Sequence, residues 1–418
     1  MVKKRVLMIA YHFPPLSGSS GIQRTLRFSQ YLPDHDWEPI ILSAHPRAYQ
    51  QTDKSQLMDI SDQVRVQRAF ALDTARHLSI MGRYPRILAL PDRWVSWWLG
   101  AIPAGLRLIR RYRPDIIWST YPIATAHLIG LTLSRLTGIP WVADVRDPMV
   151  QPDYPRDPAT YRVYQWIERN MMRYCAAAVF TTPGTLRDYQ ARFATIPATR
   201  FQLIENGYDE TTFAALPSLA RSCTGNSGKI VLLHSGIIYP SERDPTCLFE
   251  AIAALLKQGE IHSGNLSIIL RASHHETHLQ AMIDRYGIGG IISLAPAIPY
   301  KQALSEMLAV DGLLLLQAAN CNNQIPAKLY EYLRAQRPIL ALTDPAGDTA
   351  QKLKTMGIDT ITPLDSTKKI QQTLSHFLAL LRKGHAQVAS ADKISANSRA
   401  STTKALAMLL NTIQSSRK

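Results

Sequence analysis

Lys328 and Glu331 stand three residues apart in the stretch Asn322-Asn323-Gln324-Ile325-Pro326-Ala327-Lys328-Leu329-Tyr330-Glu331. Apolar strand candidates, Gly312 to Leu316 and Pro338 to Thr343, lie on either side. Pro at a first helical position has φ already set and lacks only an N–H that would go unpaired, so a helix is expected from near Pro326. Three residues apart on a helix is one face. A helix N-terminus after a parallel strand offers bare N–H groups to an anion, and such sheets bind ligands at that edge. A cation and a carboxylate there could divide a phosphorylated sugar, Lys328 taking phosphate and Glu331 hydroxyls. The competing reading is an amphipathic helix with a solvated ion pair.

A second constellation opens the chain. Arg5 to Ala10 reads as a buried strand, Tyr11 to Gly21 as a loop with two prolines and two glycines, and Ile22 to Leu32 as a helix. Gly18 and Gly21 would let backbone N–H groups approach a phosphate or sugar. The loop is neither G-x-G-x-x-G nor a P-loop, and a structural turn is the alternative. His12 ends the strand, and Arg24 lies one turn into the helix, within reach of the same cleft.

These groups need a scaffold of two domains, which 418 residues suggest. Strands alternate with helices across short connections, the signature of a doubly wound parallel sheet. The segment 216–228 is rich in Pro, Ser and Gly and is the expected linker. The alternation then restarts. The expected organisation is a Rossmann-like domain over 1–215, a linker over 216–228, a second Rossmann-like domain over 229–395, and a C-terminal helical segment over 396–418 that packs back on the first. A ligand would lie in the cleft between them.

The net charge of +15 favours anionic partners. It is partly localised: Asp62 to Arg113 holds ten arginines against three aspartates, together with Trp94, Trp97 and Trp98. Interleaved Trp and Arg suit an anionic membrane surface, or else a surface helix with Trp in the core and Arg reaching outward. Nucleic acid is not expected, because no nucleic-acid-binding signature is present. Four scattered cysteines imply neither a metal site nor a disulfide framework, which fits a reducing, cytoplasmic location. No run of about 18 apolar residues calls for a spanning helix.

In their order along the chain, several motifs resemble the retaining glycosyltransferases of the GT-B fold, group-4-like type. They are Phe13-Pro14-Pro15 with Gly18, Gly21 and Arg24; Trp141 to Pro148; Asn206-Gly207-Tyr208-Asp209 through Phe213; Gly236 through Arg243-Asp244-Pro245; and Ile325 to Tyr332. The resemblance implies an α/β chain of two Rossmann-like domains facing a cleft, and a nucleotide-sugar donor. It implies transfer to a saccharide or lipid-linked acceptor by front-face attack assisted by the leaving phosphate. Glu331 matches the second of the family's paired glutamates, which binds the nucleotide ribose; the first falls on Asn323. Arg243 matches one half of the diphosphate clamp. The other half is apolar here (Ile237-Ile238), and Lys328 could supply it. Ala297 and Ile298 would contact the base through their backbone. Arg146-Asp147 stands where many relatives carry a histidine, and could hold a sugar or acceptor hydroxyl. If Arg243 and Lys328 neutralise the diphosphate, no metal or other cofactor is needed; the one Asp-x-Asp triplet, Asp34-His35-Asp36, reads as a surface turn. A nucleotide-sugar epimerase on the same fold and a non-catalytic nucleotide-sugar-binding protein are the alternatives.

Overall fold

The computed structural model describes residues 3–18, 21–152, 154–216 and 228–416. The expected linker lies, from 217 to 227, outside the described residues. The chain forms two compact units, Met1–Asn206 with Arg399–Lys418, and Gly207–Ser398.

The first unit holds a seven-stranded sheet of β1 (Lys4–Ile9), β2 (Trp37–Ala44), β3 (Arg65–Ala69), β4 (Ile116–Thr120), β5 (Trp141–Asp144), β6 (Ala177–Phe180) and β7 (Phe201–Leu203), in the order β3-β2-β1-β4-β5-β6-β7. The second holds β8 (Ile230–Ser235), β9 (Leu266–Arg271), β10 (Ile292–Ala295), β11 (Gly312–Leu316), β12 (Ile339–Leu342) and β13 (Ile361–Thr362), in the order β10-β9-β8-β11-β12-β13. Every named strand pair is parallel.

Parallel strands covered on both faces must be apolar at successive positions, and β11 reads Gly-Leu-Leu-Leu-Leu, buried throughout. Alternate side chains feed opposite layers. Leu7 and Ile9 join Ile40 and Leu42 on one face, while Val6 and Met8 join Ile41 and Trp118 on the other. In the second sheet Leu314 and Leu316 pack with Phe249 and Phe377, and Leu313 and Leu315 with Leu329 and Leu333. This is the α/β pair of doubly wound sheets expected from the alternation.

The final helix, Arg399–Ser415, belongs to the first unit. Its Leu406, Ala407 and Leu410 share a cluster with Leu26 and Phe28 of the helix Gly21–Tyr31. The first unit ends at Asn206 rather than near 215, because Tyr208 and Phe213 pack into the core of the second. Arg334 also grips Glu210 in an ion pair at 2.6 Å.

The tryptophans depart from the membrane-facing expectation. Trp97 is fully buried, and Trp94 and Trp98 pack against the first unit's core. The Trp98 Nε1–H donates to Thr132 Oγ1 at 3.0 Å. Their apolar area fills the seam between the helix Ser96–Tyr112 and the sheet, leaving Arg107, Arg110, Arg111 and Arg113 outside. Among the described residues, no helix is long and apolar enough to cross a membrane.

Candidate active site

Open parallel sheets bind ligands beyond the carboxyl ends of their strands, where the strand order reverses. The reversal falls between β1 and β4 in the first unit and between β8 and β11 in the second. Most of the singled-out residues follow those strands or their neighbours.

In the second unit, β8 runs into Gly236, whose φ of +117° suits glycine. A Cβ there would lie 2.8 Å from Lys328 Nζ, so the missing side chain is what admits the ammonium. His234, fully buried in β8, lies beneath it. The His234 Nδ1 is 3.0 Å from Leu314 O, which places the proton on that nitrogen and leaves Nε2 to accept from Lys328 Nζ at 3.3 Å. Burial, then the nearby Lys328 cation, holds His234 well below the usual imidazole range. Burial also pulls Lys328 from its ordinary 10.5 to about 7; the Arg243 cation adds to this and Glu331 opposes it.

Arg243 lies on the loop between β8 and the helix Thr246–Lys257. Its Nη1 donates to Ile237 O at 2.5 Å, and its guanidinium stacks on Tyr239 at 5.3 Å. Among the described residues, neither Arg243 nor Lys328 has a carboxylate within ion-pair distance. Two neighbouring cations with no carboxylate in ion-pair contact suit an anion.

The helix after β11 spans Lys328–Ala335, two residues later than expected. Ala327 stands before it without a side-chain cap, and Tyr330 N donates to Ala327 O at 3.3 Å. Pro326 closes the preceding turn, Leu329 N donating to Pro326 O at 2.9 Å. Gln317 shapes the loop by donating from Nε2 to Cys321 O at 2.9 Å and Gln324 O at 3.0 Å. Glu331 accepts from Tyr300 Oη at 2.7 Å. The buried Tyr332 hydroxyl accepts from Ser235 N at 2.9 Å, tying the end of β8 to this helix. Asn323 is exposed, while its neighbour Asn322 is anchored through Nδ2 to Asp344 Oδ2 at 2.6 Å. Ile325 turns its side chain into the core, leaving backbone for any ligand. Ala297 and Ile298 lie on the loop after β10, steadied where Arg271 donates to Pro296 O at 2.9 Å.

In the first unit, His12, Gly21 and Arg146 come together. A Cβ on Gly21 would overlap His12 Nδ1 and lie 2.7 Å from Arg146 Nη1. Arg146 adopts φ +53°, a strained conformation for a side-chain-bearing residue, and is held by Thr181 Oγ1, which donates to its carbonyl at 2.6 Å. Arg146 Nη1 donates to Tyr121 O at 3.3 Å. Burial, with Arg146 adding, takes His12 down to about 3, so its imidazole is neutral at ordinary pH. Asp147 follows with an exposed side chain, its N donating to Val145 O at 2.5 Å.

Two expectations are corrected. Arg24 is no cleft residue: it is 2% exposed and paired with the fully buried Asp144 at 2.7 Å. It also donates to Glu205 O at 3.0 Å and Ile204 O at 2.9 Å, which commits its guanidinium to joining the ends of β5 and β7. Gly18, at φ +78°, sits against Gln51, where a Cβ would meet Oε1 at 3.0 Å; it serves a turn and lies outside the His12–Gly21–Arg146 cluster. His234 and Tyr300 went unselected in the sequence, while Gly236 was picked out only as the start of a family motif. Histidine followed by Ser-Gly at a strand end was the available signal for His234.

The glycosyl transferase 4-like domain model matches residues 20–207. No curated protein matches the chain. Among solved structures, the sucrose-phosphate synthase of Thermosynechococcus elongatus is similar with TM-score 0.66 at 13% identity, covering 99% of this chain and 100% of that one. The α,α-trehalose 6-phosphate synthase of Burkholderia multivorans has TM-score 0.67 at 12% identity, covering 99% and 98%. Anabaena HepE in complex with UDP-glucose has TM-score 0.58 at 14% identity, covering 99% and 97%. Residues 20–207 thus resemble the glycosyl transferase 4-like domain, and the chain's fold is that of the GT-B proteins.

Proposed function

We propose that this chain transfers a glycosyl group from a nucleotide-sugar donor to a hydroxyl of a saccharide or lipid-linked acceptor, with retention of anomeric configuration. The observation that carries the reading is the Lys328–Arg243 pair, two neighbouring cations with no carboxylate in ion-pair contact among the described residues, at the strand-order reversal of the second sheet. Breaking the bond from the sugar C1 to the β-phosphate oxygen leaves negative charge on the diphosphate, and preorganised cations there lower the barrier. Lys328 and Arg243 would take that charge.

Glu331, held by Tyr300, would take the ribose hydroxyls, Asn323 would donate or accept beside it, and the backbone at Ala297 and Ile298 would meet the base. His12, Arg146 and Asp147 would receive the acceptor. In front-face attack the acceptor hydroxyl bonds to C1 and its proton passes to the departing phosphate. With the diphosphate charge met by side chains, the reading does not call for a metal ion.

A panel of nucleotide sugars, scored first by thermal stabilisation and then by NMR of the products, tests this. Stabilisation by one donor, release of its nucleoside diphosphate and a product of unchanged anomeric configuration are expected. Stabilisation without release would make the chain a binding protein. An altered sugar still attached to its nucleotide would make it an epimerase.

A further inference from the structure

Between Asp73 and Arg93 the first unit makes a closed excursion. Thr74 N donates to Arg93 O at 2.8 Å, and Arg93 pairs with Asp73 at 3.3 Å, so the ends are clasped together. Within it Ile80 and Arg83 exchange backbone hydrogen bonds of 2.8 and 3.0 Å across Met81 and Gly82, whose φ values are +50° and +76°. Thr74 Oγ1 donates to Leu88 O at 2.5 Å, and Arg86 pairs with Asp157. The loop is thus an ordered projection, and its tip is apolar. Met81 is 98% exposed, Ile80 80% and Ile87 75%, with Tyr84 and Leu88 also open. Large apolar side chains concentrated this densely on a hydrogen-bonded projection mark a contact surface.

Its charge selects the partner. Residues 74–93 carry four arginines against one carboxylate, Asp92; Arg86 and Arg93 are paired with Asp157 and Asp73, while the exposed Arg76 and Arg83 have no ion-pair partner among the described residues. Asp92 accepts from Thr125 N at 2.8 Å and Thr125 Oγ1 at 2.9 Å and is turned away from the tip. Arg107, Arg110, Arg111 and Arg113, exposed on and just after the following helix, have no ion-pair partner among the described residues. A second protein surface offers apolar contact; an anionic bilayer offers both an apolar layer for Ile80, Met81 and Ile87 and phosphates for the arginines around them.

We propose that the loop from Ile80 to Leu88 is a membrane-docking element that inserts its apolar tip into an anionic bilayer surface. The inference does not depend on the donor chemistry of the second unit, and it replaces the tryptophans, which the core consumes, with a different segment.

Co-sedimentation of the full chain with phosphatidylcholine vesicles, with and without phosphatidylglycerol, tests it. Wild type should bind the anionic vesicles, and the triple variant Ile80→Ser, Met81→Ser, Ile87→Ser should bind them about tenfold more weakly or worse. Thermal unfolding of that variant should match wild type, since all three side chains lie in solvent. Arg83→Glu should weaken binding chiefly at low salt. Wild type that ignores anionic vesicles overturns the proposal, as does an apolar-tip variant that binds as tightly as wild type. So does a tip that drives self-association of the chain in gel filtration while vesicle binding stays unchanged in the triple variant.

Discussion

Raising the pH should weaken donor binding through Lys328. Its ammonium is pulled from 10.5 to about 7 by burial, with Arg243 adding to the effect. The free protein therefore holds about ten ammonium forms per neutral amine at pH 6, and about one per ten at pH 8. A bound diphosphate pulls the ammonium back toward its ordinary range. Binding above pH 7 must then take up a proton, and affinity should fall by close to tenfold per pH unit between about 7 and 9. A nucleotide sugar suits this measurement because both its phosphates are diesters and do not titrate near neutrality. Stability of the free protein runs the opposite way. Between pH 7 and 10.5 the unfolded chain holds the Lys328 proton and the folded chain does not, so this group's contribution to stability rises with pH. Below about pH 7 its destabilisation is fully present. Calorimetric titration of wild type and Lys328→Met with the stabilising nucleotide sugar, in buffers of different ionisation enthalpy, checks both proton uptake and slope. Wild-type affinity that is level from pH 6 to pH 9, or a slope retained in Lys328→Met, would refute the reasoning.

Further outcomes follow from other contacts. Gly236→Ala sets a Cβ 2.8 Å from Lys328 Nζ at φ +117°; donor affinity in calorimetry should drop about tenfold or more, with a strain cost of about 1–3 kcal/mol in denaturant unfolding. Arg24→Met strips the partner from fully buried Asp144 and should cost about 3–5 kcal/mol. Arg24→Met with Asp144→Asn should recover part of that in urea titration. Gly21→Ala drives a methyl into His12 and Arg146; it should weaken acceptor use, read as a raised acceptor KM, with donor binding unchanged. Tyr300→Phe removes the hydroxyl that donates to Glu331 and should lower donor affinity a few-fold without changing unfolding.

Most of the scaffold was legible because buried parallel strands must be apolar at successive positions; β1, β4, β8, β11 and β12 announce themselves this way. The strand–loop–helix setting of Lys328 and Glu331 was legible because it is local, whereas Arg243 was singled out only through the family resemblance. Arg24 was not, since its partner Asp144 is 120 residues away and only folding reveals that its donors are taken. The tryptophans read equally well as membrane anchors or core, because a mixed Trp and Arg segment fits both until the packing partner is known. His234 stayed hidden because a fully buried histidine at a strand end looks like the start of a loop. The helix Pro183–Arg192 escaped notice although Thr182 caps it, accepting from Thr185 N at 3.3 Å ahead of a first-turn proline. Its weak apolar periodicity concealed it.

The central claim is that Lys328 and Arg243 hold the diphosphate of a nucleotide sugar while its glycosyl bond is broken. The most direct measurement is nucleoside diphosphate release from the stabilising donor by wild type, Lys328→Ala and Arg243→Ala, with folding of each confirmed by thermal unfolding. The account predicts release by wild type and a loss of about a hundredfold or more in each variant. Folded variants that release nucleoside diphosphate as fast as wild type would contradict it.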